Sequence, residues 1–562
     1  MFKASRALLP VLLSIAAFAG AAQDSPVTAA QKAAGSEITP ELIRSHVRFL
    51  ASDLLEGRGP ATRGDQLAEA YIQAQLEGLG LAPGAPGGGW IQKVPLVGIR
   101  RTSSDPVVFN SGRGTLSGTL GEDFVAVSGV QKPESKIDAA EVVFVGYGIV
   151  APEYRWDDYK DADLRGKVLL VMNNDPEGSP AEPNLFAGKT RLWYGRWDYK
   201  YLMAARKGAA GAIVIHTQPS AGYGWQVVQT SWAGEQFELP DDGTPRVAAK
   251  MWATEELARK IAALGGKDLD ALRASAESRS FRPVPLGVTV SVALTNAITR
   301  KESGNVIGAL PGSDPRRAGE AVLYTAHHDH LGIRVGARPG SDAIYNGALD
   351  NASGVAAILS VAKAFASLKT APARSTYFAF VAGEEQGLLG SEFLAKHPPV
   401  PAGRIAADIN VDGVGWYGPT RDVVLIGLGK SSLDGDVRAV ARMQGRRVEG
   451  DQFPDRGTFY RSDQFSFAMA GVPAAYLKKG TDVIGKPPGF GREQEELYER
   501  TDYHQPSDEF RESLDFSGAA EDAKLAFWLG CRVADAPELP RWNKGDEFEA
   551  ARLKAAGEAR AR

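Results

Sequence analysis

Two adjacent carboxylates, Glu384 and Glu385, close the apolar run Tyr377-Phe378-Ala379-Phe380-Val381-Ala382, within Val381-Ala382-Gly383-Glu384-Glu385-Gln386-Gly387. Such a run heads into a buried sheet. Ending it on two negative charges is unfavourable unless a cation or a proton compensates them. Adjacent side chains on extended backbone point different ways. One carboxylate is then free to hold a metal while the other faces a bound water, which is the division of labour of metal-assisted hydrolysis. The alternative is a solvated helix start, where acids meet the favourable end of the dipole.

Three of the seven histidines crowd into Thr325-Ala326-His327-His328-Asp329-His330-Leu331, directly after the apolar Ala321-Val322-Leu323-Tyr324. The spacing predicts a strand whose C-terminal end carries the cluster, the edge at which open α/β sheets build sites. His327 and Asp329 are two apart and share a side of an extended chain. Asp329 is therefore placed to support one ring nitrogen of His327 while the other binds metal; an exposed polar turn is the competing reading. Asp350 follows Gly347-Ala348-Leu349 and precedes a helical pattern, so it fits a ligand and a helix cap equally well. Asp412 ends the run Ile405 to Val411 ahead of Gly413, and His504 lies in Thr501-Asp502-Tyr503-His504-Gln505-Pro506-Ser507-Asp508. Each alone reads as a turn or a surface residue. Together, oxygen and imidazole donors without thiolate suit catalytic zinc. Five candidates, His327, Asp350, Glu385, Asp412 and His504, exceed one tetrahedral ion, and a shared aspartate bridging two ions accommodates them.

The chain that must position these groups has 562 residues, a formal net charge of -4 and 44% hydrophobic residues. That suits a soluble protein of several domains. No Lys/Arg-rich run of the kind that binds phosphate backbones is present, which argues against a nucleic-acid partner. Lys3 and Arg6, the apolar Ala7 to Ala19, and Ala19-Gly20-Ala21 read as a cleavable secretory leader over 1–22, implying export to a periplasm or the extracellular space with no stable membrane insertion afterwards. Cys531 is the only cysteine, so no intramolecular disulfide is expected, and its apolar surroundings make it a core thiol.

Two helical patterns lie between Thr39 and Leu81, with Ile43, Val47, Leu50 and Leu54 on one face of the first and Ala68, Ile72, Leu76 and Leu79 on one face of the second. A separate alternation of strands and helices occupies about 132–282. Beyond it, strands are expected at Val288 to Leu294, Asn305 to Leu310, Ala321 to Ala326, Thr376 to Ala382, Ile405 to Val411, Val423 to Ile426 and Ala474 to Leu477. Helices between them predict an α/β fold with a covered sheet. The charged end of the chain is expected at the periphery.

In this order, His327-His328-Asp329, Gly347-Ala348-Leu349-Asp350-Asn351, Gly383-Glu384-Glu385-Gln386-Gly387, Asn410-Val411-Asp412 and Tyr503-His504 resemble the di-zinc aminopeptidase family that includes secreted bacterial leucyl aminopeptidases and relatives of glutamate carboxypeptidase. Ser462-Asp463-Gln464-Phe465 is similar to a further family segment, with Gln464 where a histidine is common. The resemblance implies a three-layer α/β zinc-peptidase fold, a mixed sheet flanked by helices, with a smaller inserted protease-associated domain. The implied limits are 37–131 and 283–540 for the peptidase, 132–282 for the insert and 541–562 for a charged tail. It implies two zinc ions, one held by His327, Asp350 and Asp412 and the other by Asp350, Glu385 and His504. Asp329 would orient His327, Glu384 would act as general base and then acid, and the Asp350–Asn351 bond would be cis. Asp508 is placed to support His504.

The implied activity is hydrolysis of N-terminal peptide bonds of peptides or proteins. A glutaminyl cyclase with one zinc, a carboxypeptidase selective for acidic termini, and a receptor-like protein-binding module are the alternatives. The insert, lying between two parts of the peptidase, is expected to act as a lid that limits substrate size. Oligomeric state has no signature in the sequence.

Overall fold

The structure is a computed structural model and describes residues 27–104 and 106–561. The expected leader lies outside the described residues. The fold is mixed α/β. Its larger sheet has four parallel strands in spatial order Ser375–Val381, Ala321–His327, Ile405–Val411 and Ala474–Lys479. Antiparallel partners lie on both sides: residues 306–310 beside the first of these and Asp422–Ile426 beside the last. Every residue of Ala321–His327 and of Ile405–Val411 is buried. That explains their near-continuous apolar sequences, because helices cover both faces of such a sheet. The helix Ser353–Ala366 packs against Pro40–Leu50 and Ser517–Asp535 on one face. Cys531 is buried within the last of these.

Several expectations change in detail. Leu54 does not continue the first helical face: the helix stops at Leu50, a tight turn over Asp53–Arg58 follows, and Leu54 is left 69% exposed. The two strands expected at Val288 to Leu294 and Asn305 to Leu310 are one strand, Val284–Leu310. Its polar middle is continuous because it pairs with Ile91–Ser104 as a two-stranded ribbon, which needs no apolar run. The charged end is not peripheral throughout. Trp542 and Phe548 are buried, and Arg552 donates to the carbonyls of Ala402 and Ile405.

The long strand joins two cores. One gathers side chains from 34–81 and 306–534, the other from 107–294. The second is built on the parallel strands Val168–Met172, Gly211–His216 and Ala249–Thr254, with residues 284–295 of the long strand and Glu134–Phe144 completing that side. From this smaller unit the helix Trp225–Ser231 and the strand Glu235–Glu238 reach back to the larger one, where the strand pairs with residues 97–100. No helix among the described residues is long and apolar enough to cross a membrane.

Candidate metal centre

Three strand ends deliver the site. Ala321–His327 ends on His327, Ser375–Val381 runs through Gly383 into the Glu384–Glu385 turn, and Ile405–Val411 hands over to Asp412. Asp350 comes from the loop before Ser353–Ala366, and the Asp350–Asn351 bond is cis. Gly347 enters that loop at φ +54°, where a β-carbon would meet the Asp350 carbonyl oxygen at 2.3 Å and the His330 ring at 2.6 Å, so only glycine fits. His504 follows Phe490–Thr501 at φ +56°, a left-handed conformation that costs a non-glycine residue about 1–2 kcal/mol.

The five side chains expected to bind metal converge. His327 Nε2 lies 3.4 Å from Asp350 Oδ1 and 3.7 Å from Asp412 Oδ1. His504 Nε2 lies 3.3 Å from Asp350 Oδ2 and 3.0 Å from Glu385 Oε2. The two imidazoles thus approach opposite oxygens of one carboxylate. Glu384 Oε2 stands 3.9 Å from His327 Nε2. Both Nε2 atoms are buried and neither makes a well-aligned hydrogen bond.

The supports are largely main-chain contacts. His327 Nδ1 meets the Asp329 main-chain carbonyl at 3.2 Å, while the Asp329 carboxylate lies 3.8 Å off. That carboxylate accepts the N–H groups of Glu384 and Glu385 instead, at 3.1 and 3.4 Å. Asp508, expected beside His504, accepts the N–H groups of Leu349 and Asp350 and the Tyr498 hydroxyl. The turn after His504 aims it at the Asp350 loop. The Nδ1 partner of His504 is Ser231, from the smaller unit, at 3.1 Å.

Four further contributors have roles that the sequence did not assign. His330 Nδ1 holds Glu385 Oε1 at 2.6 Å. Arg58, 1% exposed, donates to the carbonyls of Leu50, His328, Asn346 and Gly347 and so clamps two site loops. Asn351 accepts the Gly354 and Gly413 N–H groups and donates to the Val411 carbonyl, stitching the Asp350 loop to the Asp412 loop. Asn305 accepts the Ala382 N–H and donates to the Gly390 carbonyl, fixing the Glu384–Glu385 turn. Gln464 uses both ends of its amide, accepting from Asn410 and donating to the Phe459 carbonyl.

The electrostatics follow from crowded acids. Burial, and then neighbouring Glu385, pushes the Glu384 carboxyl well above the usual range despite His327. Burial opposes ionisation of Glu385 too, but His504 and His330 hold it at about 2. Burial disfavours charge on His504, yet Glu385 and Asp350 raise it to about 10. A dication answers the same field that raises His504. Oxygen and imidazole donors around a shared aspartate fit zinc on both sides of Asp350. Glu384, Glu385 and His504 line one side of a cleft between the two units, lined also by Ser231, Trp232, Arg461 and Tyr503, while Asp350 and Asp412 border an adjoining pocket with Glu384.

The aminopeptidase from Aneurinibacillus sp. strain AM-1 has a similar structure, with a TM-score of 0.50 and 19% identity over 89% of this chain and 96% of that one. The likeness concerns the fold. A probable zinc metalloprotease of Pyricularia oryzae is 35% identical over 168 residues, 30% of this chain and 28% of that protein. A second, from Pyrenophora teres f. teres, is 26% identical over 326 residues, 52% of this chain and 62% of that protein. Each match spans less than two thirds of the relative's length. Residues 305–527, which contain His327, Asp329, Asp350, Glu384, Glu385, Asp412 and His504, match the model of Peptidase family M28.

Proposed function

We propose that the protein is a zinc-dependent exopeptidase, an aminopeptidase that hydrolyses N-terminal peptide bonds and is exported after loss of residues 1–22. The observation that carries this reading is the pair of buried imidazole nitrogens facing the two oxygens of Asp350. His327, Asp350 and Asp412 would hold one zinc, and Asp350, Glu385 and His504 the other. Bound zinc supplies a water of lowered pKa and polarises a carbonyl. Glu384, raised in pKa and bordering the cleft, takes the water's proton and passes it to the leaving amine. Asp329 fixes the Glu384 main chain, so that this carboxylate keeps its place through both transfers. A free substrate amine is cationic and is attracted by the acidic cluster, which favours an aminopeptidase over an endopeptidase. The unit over 132–282 resembles a protease-associated domain and walls the other side of the cleft, which supports a role in limiting substrate size.

The test is a zinc count on the purified chain together with turnover of aminoacyl-chromophore substrates, free and N-blocked. The expected result is about two zinc ions per chain, as a shared bridging carboxylate requires, with turnover only of free-amine substrates, lost to chelator and restored by zinc. Equal turnover of blocked substrates would remove the aminopeptidase assignment, and one tightly held zinc would favour the cyclase reading.

A further inference from the structure

The smaller unit does more than border the cleft. The helix Trp225–Ser231 buries Val227 and Val228, and Val227 and Ser231, four residues apart, share a face that fronts the cleft. At the end of this helix Ser231 Oγ comes to 3.1 Å from His504 Nδ1. The other ring nitrogen of His504 faces Asp350 and Glu385. An imidazole that ligates through Nε2 must carry its proton on Nδ1, and whatever accepts that proton sets both tautomer and ring orientation. The larger unit gives Nδ1 no hydrogen-bond partner among the described residues: Asp508, four positions on, is engaged with Leu349, Asp350 and Tyr498.

We propose that Ser231 is a positioning residue for His504, accepting its Nδ1–H and so keeping Nε2 aimed at Asp350 and Glu385, which makes the smaller unit a structural part of the metal centre. The contact is held in register by others around it. The Phe237 N–H donates to Gln386 Oε1 at 3.0 Å, one residue from Glu385. The Arg461 guanidinium lies between the rings of Tyr223 and Tyr503, 5.5 and 5.9 Å from their centroids. Trp193 packs on Phe465 with centroids 4.9 Å apart, and the Arg191 N–H donates to the Pro454 carbonyl. The first two of these contacts border the cleft and the others join the same two units, so Ser231 is presented by a braced helix. A neutral acceptor at Nδ1 leaves the negative charge of the site on its four carboxylates. Movement of the smaller unit away from the cleft would withdraw the acceptor from His504 and loosen the ion that His504, Glu385 and Asp350 share.

This inference rests on the metallopeptidase reading above, and the experiment separates the two. Full-length protein, Ser231→Ala, Ser231→Thr and Thr230→Ala are titrated with zinc in chelator-buffered solution, and zinc per chain is counted after dialysis. Thr230 serves as a control because its hydroxyl bonds within its own helix, to the Gln226 carbonyl. Loss of a partner to a metal-binding histidine weakens metal affinity by about 10–100-fold. The expected result is a loss of that size for one of two ions in Ser231→Ala, near-wild-type binding in Ser231→Thr and Thr230→Ala, unchanged unfolding of the zinc-free proteins, and a fall in kcat with little change in KM. Ser231→Ala holding both ions as tightly as the parent overturns the proposal while leaving the peptidase reading intact. A parent that binds no zinc overturns both.

Discussion

His327 and His328 are neighbours on one strand end, each 1% exposed and each beside carboxylates, yet they serve different surroundings. Extended backbone sends them opposite ways. His327 turns to the acid cluster, where Asp350, Asp412 and Glu384 stand 3.4–3.9 Å from its Nε2. His328 turns inward: its Nε2 meets the Gly304 carbonyl at 3.0 Å and its Nδ1 lies 3.3 Å from Asp65 Oδ1, with Glu69 close by. Asp65, Glu69 and His328 are near enough to one another to hold an ion, and ring nitrogens without a well-aligned partner occur in both places. Charge and access distinguish them. Burial lowers the pKa of His328 and raises that of Asp65, and Asp65 Oδ2 is already satisfied by the Ala61 N–H and the Ser303 hydroxyl. Burial acts against charge on both groups there, and the protein itself supplies their hydrogen bonds. Around His327 and His504, four carboxylates border two adjoining pockets, and so many acids together call for a cation. Crowded imidazole and carboxylate are thus not enough to mark a metal centre; unbalanced charge with a route to solvent is.

The comparison breaks most readily at Asp350. Asp350→Ala is expected to remove zinc from both positions and abolish turnover, whereas Asp65→Asn keeps the parent's zinc content; the reverse pattern in metal analysis would invert the assignment. Glu384→Gln is expected to keep zinc and lose about 10²–10⁴-fold in kcat, the usual worth of a positioned acid–base group. Because the base must be ionised to work, turnover of the zinc-loaded parent is expected to fall on the acid side as Glu384 protonates, and Glu384→Gln removes that limb. An acid limb that persists unchanged in Glu384→Gln would take the base role from Glu384. On the inward side, His328→Phe leaves Asp65 and the Gly304 carbonyl without their partner in the core. It is expected to lower unfolding stability by about 1–3 kcal/mol, the cost of stranded buried polar groups, with zinc per chain unchanged. Zinc loss from a variant that still unfolds at the parent's denaturant midpoint would count against the division.

The strand ends were legible because core packing alone seldom ends an apolar run on acids and histidines, and the order of the segments resembles a known family. What stayed hidden acts through the main chain of distant segments. Arg58 reads as part of a turn, and only the fold shows four carbonyls from three stretches of chain converging on it. Asn351 falls in a segment that resembles the family and Asn305 opens an expected strand, but nothing in either pattern shows which main-chain groups their amides hold. Ser231 lies far in sequence from His504, and its role exists only because two units meet. The ribbon over residues 296–304 was hidden for a different reason: it buries little, so it carries no hydrophobic period to read.

The smallest effect tests the inward cluster alone. Glu69 is half-buried beside Asp65, and burial first, then the Asp65 charge, raises its carboxyl to about 8. An acid whose pKa is higher in the folded chain is held in its protonated form by folding. Its contribution to stability is complete below the unfolded value, about 4.3 for glutamate, and is lost as pH climbs through the folded value. Glu69→Gln keeps the neutral shape and removes the titration. The variant should therefore match the parent near pH 4.5 and become progressively the more stable of the two toward pH 8, with zinc content the same in both. Urea denaturation of the two proteins across that range measures the difference directly. A gap that stays constant with pH would mean that Glu69 is ionised in the native protein, and a charged Glu69 beside Asp65 and His328 would make the inward cluster as much in need of a cation as the one on the cleft.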